Sequence, residues 1–416
     1  MKPEEIADAA GVDIQGGPDP QVWGLLERRP DRYDKKGHLI EEGTPKNTLA
    51  NLAIILTADP RWQGRIRYNE LAGSIELDGQ PIQDHNEIDA AVWLADNYGL
   101  QAATMRVHEA AIYAAHRLPY HPIRDYLNRL QWDGTERIGS WLKDYMGAED
   151  LPIIAEIGRR FLMSCVARVM EPGCKVDTVL ILQGPQGARK STGLQALCGA
   201  DWFGDTALDL RNKDALAMLQ GRWIYEWGEL DSLRRRQSTT VKAFLSSQVD
   251  RYRPAYGRNV VERPRQCVFV GSTNEFEFLR DSSGERRFWP VKAPAVDLDG
   301  LAEARDQLWA EALTWYREER RWWLSEDMGE ALEELQEQYK HSDTWADSLQ
   351  LWVASPIRAS GFQLSEAMED GLELSSKDQH QGNIMRIVGL LQRMGCTKER
   401  RRAPDGSVRR YWMPPQ

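Results

Sequence analysis

Apolar positions change their period along the chain, and the changes mark out its parts. Leu49, Leu52, Ala53 and Leu56 fall at i, i+3, i+4 and i+7, which predicts an amphipathic helix ended by Asp59-Pro60. Segments near 64–68 and 74–82, with Asp78-Gly79 between apolar residues, predict a small hairpin. Three helical stretches follow, about 86–98, 102–117 and 122–130, the last with Pro122 at a first-turn position. The pattern then changes. A helix over 151–170 leads to the unbroken apolar run Thr178–Gln183, a Gly-rich turn and another helix, with later strands at Trp223–Trp227 and Cys267–Ser272. Strands alternating with helices imply an α/β domain on a largely parallel sheet. Residues 300–340 are helical and acidic, with Met328, Ala331, Leu332 and Leu335 as a core-facing stripe. Two helices (362–372 and 376–394) and a hairpin turning at Asp405-Gly406 close the chain.

These patterns divide the chain into a flexible arm (1–45, with a short helix over PEEIADAAGV), a mainly helical N-terminal domain (46–150) and an α/β domain (151–299). A helical acidic segment (300–343) and a C-terminal domain (344–416) on the winged-helix plan complete it. A chain of 416 residues is expected to form several cores. Its net charge of -10 excludes a protein that coats nucleic acid by bulk charge. The charge is uneven, however: nine bases face two acids over 234–265, and seven face two over 393–410. Five scattered cysteines without a C-x-x-C pair read as reduced thiols, neither a disulfide framework nor a zinc site. His85, His108, His116 and His121 form no metal-ligand spacing. The acidic start lacks a signal-peptide run, and no stretch nears the ~18 apolar residues of a membrane helix, so a cytoplasmic protein is expected. Trp outnumbers Phe, 16 to 8; Trp309 with Trp315, and Trp322-Trp323, are expected on helical faces in the core or an interface.

The strongest chemical signal is VLILQGPQGARKSTGLQAL. An apolar strand precedes Gly184, Pro185, Gln186, Gly187, Ala188, Arg189, Lys190, Ser191 and Thr192, and a helix follows, the setting of a Walker A loop. Phosphates need inward backbone N–H groups and a helix N-terminus behind them, so small residues are required at the tight turns. In this reading Lys190 reaches the β- and γ-phosphates of ATP and the Ser191 hydroxyl holds Mg²⁺. Arg189 stands where the motif has Gly. In GRWIYEWGELD, Glu226 and Glu229 end an apolar strand as Walker B acids, one for the metal and one for the base, in either order; Asp231 reads as a helix cap. In CVFVGSTNE, Asn274 at a strand end is the sensor candidate. The basic zone carries DRYRPAYGRNVVERPR, a hairpin whose Arg251, Arg253, Tyr256, Arg258 and Arg263 suit phosphates and bases. Adjacent Arg286 and Arg287 are either an arginine finger acting on a neighbouring subunit's nucleotide or salt-bridge partners of the acidic 303–343 region.

Taken in order, GPQGARKST, WIYEWGELD, VKAFLSSQVDRYRPAYGR, CVFVGSTNE and GERRFWPV resemble the virulence-associated E family of phages and genomic islands, superfamily 3-like AAA+ helicases. YHPIRDYLNRLQWDGTERI resembles that family's N-terminal signature, which extends the match to about 120–293. The resemblance implies an AAA+ P-loop ATPase core between a mainly helical N-terminal domain and a C-terminal winged helix. It further implies a homo-hexameric ring in a bacterial host's cytoplasm, hydrolysing ATP with Mg²⁺ between subunits and pulling single-stranded DNA through Arg253, Tyr256 and Arg258. Priming would fall to a separate primase or other replisome proteins. The winged helix would contact origin duplex DNA through 381–394 and Arg400, Arg401 and Arg402. A second reading is an ATP-regulated initiator or regulator that assembles on DNA without unwinding it. A small-molecule kinase or GTPase gains nothing from NKD at 212–214, because a guanine-reading N-K-x-D needs Asp where Ala215 stands.

Overall fold

The computed structural model describes residues 17–209, 213–228, 238–254, 259–275, 285–339, 344–375, 381–402 and 408–415. They form two compact units, one ending at Gln336 and the other running from Glu337. The helix expected over PEEIADAAGV lies outside the described residues.

The first unit opens with α1 (Pro20–Leu25), whose cap is the Asp19 carboxylate accepting from the Gln21 and Val22 N–H groups. Val22 and Leu26 bury in the same core as Leu52, Leu56, Trp93 and Leu94. The segment expected to be a loose arm is therefore anchored by two apolar side chains. Its charged remainder makes an exposed ribbon of β1 (Arg32–Tyr33) and β2 (Leu39–Glu41). In α2 (Leu49–Ala58), capped by Thr48, the expected stripe buries Leu52, Ala53 and Leu56. β3 (Ile66–Asn69) and β4 (Ser74–Leu77) pair antiparallel as expected, but around residues 70–73. Asp78 and Gly79 instead join β4 to β5 (Gln80–Pro81), with φ of 52° and 79°, the two positive values a type I′ turn requires. Helices α3 (Asp84–Tyr98) and α4 (Thr104–His116) follow, and β6 (Pro119–Tyr120) runs parallel to β3. The region is thus helical around a four-stranded sheet of order β5-β4-β3-β6.

After α5 (Pro122–Arg129) and α6 (Trp141–Met146), helix α7 (Pro152–Met170) is buried over most of its circumference, as a helix within a core must be. β7 (Val179–Gln183) is buried at all five positions. It leads through the Gly-rich loop to α8 (Lys190–Cys198), then β8 (Phe203–Gly204) and β9 (Ile224–Gly228). Next come α9 (Ser238–Ser246), the ribbon β10 (Val249–Tyr252) and β11 (Val261–Pro264), β12 (Val268–Thr273) and β13 (Phe288–Lys292). The central sheet runs β13-β7-β12-β9-β8 and every pairing in it is parallel. Such sheets are covered on both faces, hence the unbroken apolar runs.

Helix α10 (Leu298–Glu319) packs on α7 and α8. Its Trp309 is fully buried, lies tilted with its ring centroid 4.1 Å from that of Trp223, and donates to the Leu197 carbonyl. Segment 126–138 is fastened along the same helix: Tyr126 donates to Asp306, and the buried Glu311 carboxylate accepts from the Arg137 and Ile138 N–H groups. Burial raises the pKa of Glu311, and those N–H groups oppose the rise. Trp322 and Trp323 lie beyond the end of α10, not on its face; Arg320 ends the helix in the left-handed conformation, and Trp323 is 51% exposed. Helix α11 (Gly329–Glu337) buries Leu332 and Leu335 of the expected stripe.

The second unit contains α12 (Thr344–Val353), which the sequence pattern did not announce, then α13 (Leu364–Glu369), α14 (Gln381–Arg393) and the antiparallel β14 (Thr397–Arg402) and β15 (Val408–Met413). Leu349, Phe362, Met368, Ile387, Leu391 and Trp412 form its core. The expected turn at Asp405-Gly406 lies outside the described residues.

One buried contact ties the N-terminal region to the central sheet. His121 is 3% exposed; its Nδ1 accepts from the Arg124 N–H (3.1 Å) and its Nε2 faces Gln266 Oε1 (2.7 Å). The ring is therefore neutral, with its proton on Nε2. Burial lowers its pKa below the ordinary 6.5, aided by Arg124 and opposed by Gln266 and Glu70. The unfolded chain takes up this proton first as pH falls, so the contact's stabilisation is intact above 6.5 and lost below it. His121→Asn keeps a capping acceptor without titrating. Its melting temperature should fall less steeply than that of the wild type between pH 7 and 5; equal slopes would assign the acid sensitivity elsewhere.

Candidate functional site

The carboxyl end of the parallel sheet gathers the loop residues. The Gly184 N–H donates to Thr273 O (3.1 Å) at the end of β12, and the Ala293 N–H donates to Gln183 O (2.6 Å) just beyond β13. Gly184 is pressed so closely on this turn that an added Cβ would sit 2.2 Å from the Ala293 carbonyl oxygen. Only glycine fits there. Gly193 is similarly tight, its missing Cβ 2.8 Å from Val296. The chain then swings outward, leaving Pro185, Gln186 and Gly187 exposed and Ala188 half-buried, before α8 begins at Lys190.

Two residues of the turn take positive φ, Gly187 at 84° and Arg189 at 61°. Such alternation is the backbone setting in which successive N–H groups form an anion-binding concavity at a helix start. Glycine adopts it freely, whereas an L-residue with a side chain is disfavoured by about 1–2 kcal/mol. Arg189 accepts that strain in the motif's second glycine position, with its side chain exposed.

Lys190 folds back over the loop, its Nζ 2.8 Å from Gly184 O and 3.0 Å from Pro185 O. Burial lowers its pKa, and the nearby Glu226 carboxylate pulls it back up. Ser191 Oγ donates to Glu226 Oε1 at 2.9 Å. Glu226 lies on β9, two strands from β7 across β12, and is 3% exposed. Sequence positions 35 residues apart thus meet as a hydroxyl and a buried carboxylate, with the Lys190 amine near enough to feel the carboxylate's charge. Thr192 is exposed on the first turn of α8. Asn274, also exposed, directly follows Thr273, which is in register with Gln183, so it emerges beside the start of the loop. Glu229 lies outside the described residues.

Arg286 and Arg287 lie at the other end of the sheet. They precede Phe288, which pairs with Val179 at the start of β7, whereas the loop follows Gln183 at its end. Five residues of strand, roughly 16 Å, separate the two. Among the described residues their acidic partner is Asp177 rather than one in the 303–343 region: Arg287 Nε is 3.2 Å and Arg286 3.7 Å from its Oδ2. Arg287 is largely covered, while Arg286 is 70% exposed.

The β10–β11 ribbon sorts the basic zone by strand alternation. Arg251 points outward opposite Glu262, 3.6 Å from its carboxylate, and Arg253 is exposed just beyond β10. Arg263 instead turns inward, donating to Tyr68 Oη (2.9 Å) and Gly73 O (3.1 Å). Arg265 is fully buried against Asp250, at 2.6 Å, and lies over the Phe244 ring. Both were expected on a basic surface; Asp250, one of only two acids in that zone beside Glu262, was the available sign that one base is needed internally. Tyr256 and Arg258 lie outside the described residues. In the second unit, Arg400 and Arg401 are exposed on β14, Arg401 bonding Glu399 and the Ser360 carbonyl, and Arg402 ends the strand.

The fold and site define an α/β protein with a glycine-rich strand–loop–helix at the carboxyl edge of a parallel sheet. The Virulence-associated protein E-like domain matches residues 127–341, a little over half the chain. The chain belongs to that family. No curated protein matches the sequence. Among solved structures, the apo NrS-1 C-terminal region is similar at a TM-score of 0.50 and 12% identity, covering 84% of this chain and 96% of that one. An A-form apo structure of the same region gives 0.47 and 11% over the same shares. At these identities the likeness concerns the fold alone. Among the described residues no helix is long and apolar enough to cross a membrane.

The Gly184 contact is directly testable. Gly184→Ala forces backbone apart at the root of the loop and should destabilise the protein by about 1–3 kcal/mol, read by chemical denaturation. Unchanged stability would mean that the Ala293 turn yields without cost.

Proposed function

We propose that the chain is an ATP-dependent DNA helicase for phage or mobile-element replication. Subunits of a homo-hexameric ring would hydrolyse ATP between them and translocate on single-stranded DNA. The observation that carries the reading is the 2.9 Å contact of Ser191 with buried Glu226, beside Lys190 and at the mouth of the loop.

These residues fit Mg²⁺ and a nucleoside triphosphate. Ser191 and Glu226 offer hard oxygens, and Mg²⁺ characteristically takes one or two protein ligands together with phosphates and water. Consistently, among the described residues no group of three or more His, Cys, Asp or Glu could hold a metal alone. The bound metal supplies charge neutralisation for the transferred phosphoryl group. Lys190 exchanges its two carbonyl partners for phosphate oxygens, and the backbone from Gly184 to Thr192 cradles them. Glu229 orients the attacking water, with Asn274 as the sensor. Arg286 and Arg287 stand a strand's length from their own loop, so a finger from this edge serves a neighbouring subunit; the exposed Arg286 is the better placed.

For DNA, Arg251 on the ribbon and Arg253 just beyond it are exposed, and together with Tyr256 and Arg258 they would hold backbone and stack on bases. The order of elements supports an AAA+ core, and the helices and hairpin of the second unit support a winged helix. Its α14, with Arg400, Arg401 and Arg402, would meet origin duplex DNA. A separate primase would supply priming in the host cytoplasm.

Lys190→Ala should lower ATP turnover at least about a hundredfold while melting like the wild type. Retained turnover overturns the phosphate-loop assignment. The wild type should also displace a strand from a forked duplex with ATP, and Arg251→Ala with Arg253→Ala should reduce displacement and DNA-stimulated turnover more than basal turnover. ATP hydrolysis and DNA binding without displacement would make the protein an initiator that assembles on DNA.

A further inference from the structure

We propose that Arg189 is a phosphate-contacting residue, a second cation beside Lys190 for a nucleoside triphosphate bound in the same subunit. The inference rests on the phosphate-loop reading and extends it to the one residue that departs from the motif.

Three observations carry it. First, the backbone at 189 is left-handed (φ 61°, ψ 28°) because the loop must turn into α8 there, so glycine would serve the fold better than arginine. A strained residue in a functional loop is held there by something the loop does. Second, the guanidinium has no protein partner among the described residues that would compensate the strain. The contrast within the chain is Arg320, also left-handed (φ 50°), which ends α10 and pairs with Glu171. Third, the loop from Gly184 to Thr192 contains no acid, while its other cation, Lys190, is already folded onto the Gly184 and Pro185 carbonyls. The exposed arginine at the N-cap of α8 is therefore the loop's outward charge, set where anions are favoured by the helix start. A planar guanidinium matches phosphate oxygens two at a time, which a lysine cannot do. The ligand class is a polyphosphate.

The test uses the full chain, a fluorescent non-hydrolysable ATP analogue with Mg²⁺, and melting curves without nucleotide. Arg189→Gly should melt higher than the wild type, because the strain is gone, yet bind the analogue about tenfold more weakly. Arg189→Asn, neutral but tolerant of the left-handed conformation, should show the same loss of affinity, and Arg189→Lys an intermediate one. A glycine variant that melts higher and binds as tightly as the wild type, or more tightly, overturns the inference and makes Arg189 a tolerated substitution. Lys190→Ala in the same titration separates the two levels. If it loses binding while Arg189→Gly does not, only the Arg189 inference fails; if Lys190→Ala binds like the wild type, the phosphate-loop reading fails with it.

Discussion

The approach of Gly184 to the Ala293 carbonyl is the constraint on which the rest of the site depends. It joins three neighbouring strands at one end: β7 through Gln183, β12 through Thr273 and β13 through Ala293. With these ends fixed, the loop has only one way out, and α8 begins where Ser191 can meet Glu226 on β9. The fully buried β7 supplies the rigidity, since a strand covered on both faces cannot shift by one residue without moving apolar side chains out of the core. The loop is thus positioned by the packing of these strand ends together with the glycine at its root.

The sheet's two ends carry different tasks. The carboxyl end holds the loop, Glu226 and the approach to Asn274; the amino end holds Asp177 with Arg286 and Arg287. The ribbon is anchored independently of both, by the buried Asp250–Arg265 pair and by Arg263 reaching Tyr68 on β3 and Gly73 of the β3–β4 turn. Removing one member of a buried ion pair leaves an uncompensated charge in the core, so the base of the ribbon, a ladder of four residue pairs, depends on Asp250 and Arg265 staying together.

Much of this was legible in the sequence. The strands at 178–183, 223–227 and 267–272 were recovered within one residue, because continuous apolar runs between turn signals have few alternatives. The strand–loop–helix and the acid at Glu226 were legible because a glycine-rich turn between an apolar strand and a helix, and a carboxylate in an apolar strand, both stand out locally. Less was readable where tertiary contacts decide. The anchoring of 17–45 rests on Val22 and Leu26 with Trp23 beside them, too few apolar residues to show a period, and on hydrogen bonds to Asn51 and Tyr98 that no pattern records. The Asp78-Gly79 turn was recognised but placed one connection early, because two turns lie within ten residues. Arg263 and Arg265 looked like surface charge because composition does not record the alternation that turns them inward.

The terminal hairpin sets like charges against each other. Arg400 and Arg410, both exposed, lie directly opposite each other on β14 and β15, an arrangement that opposes pairing. Dissolved salt screens that repulsion and tightens the hairpin, while the same salt would weaken any polyanion bound there. Ionic strength would therefore act on this element with opposite signs, firming its shape while loosening such a ligand.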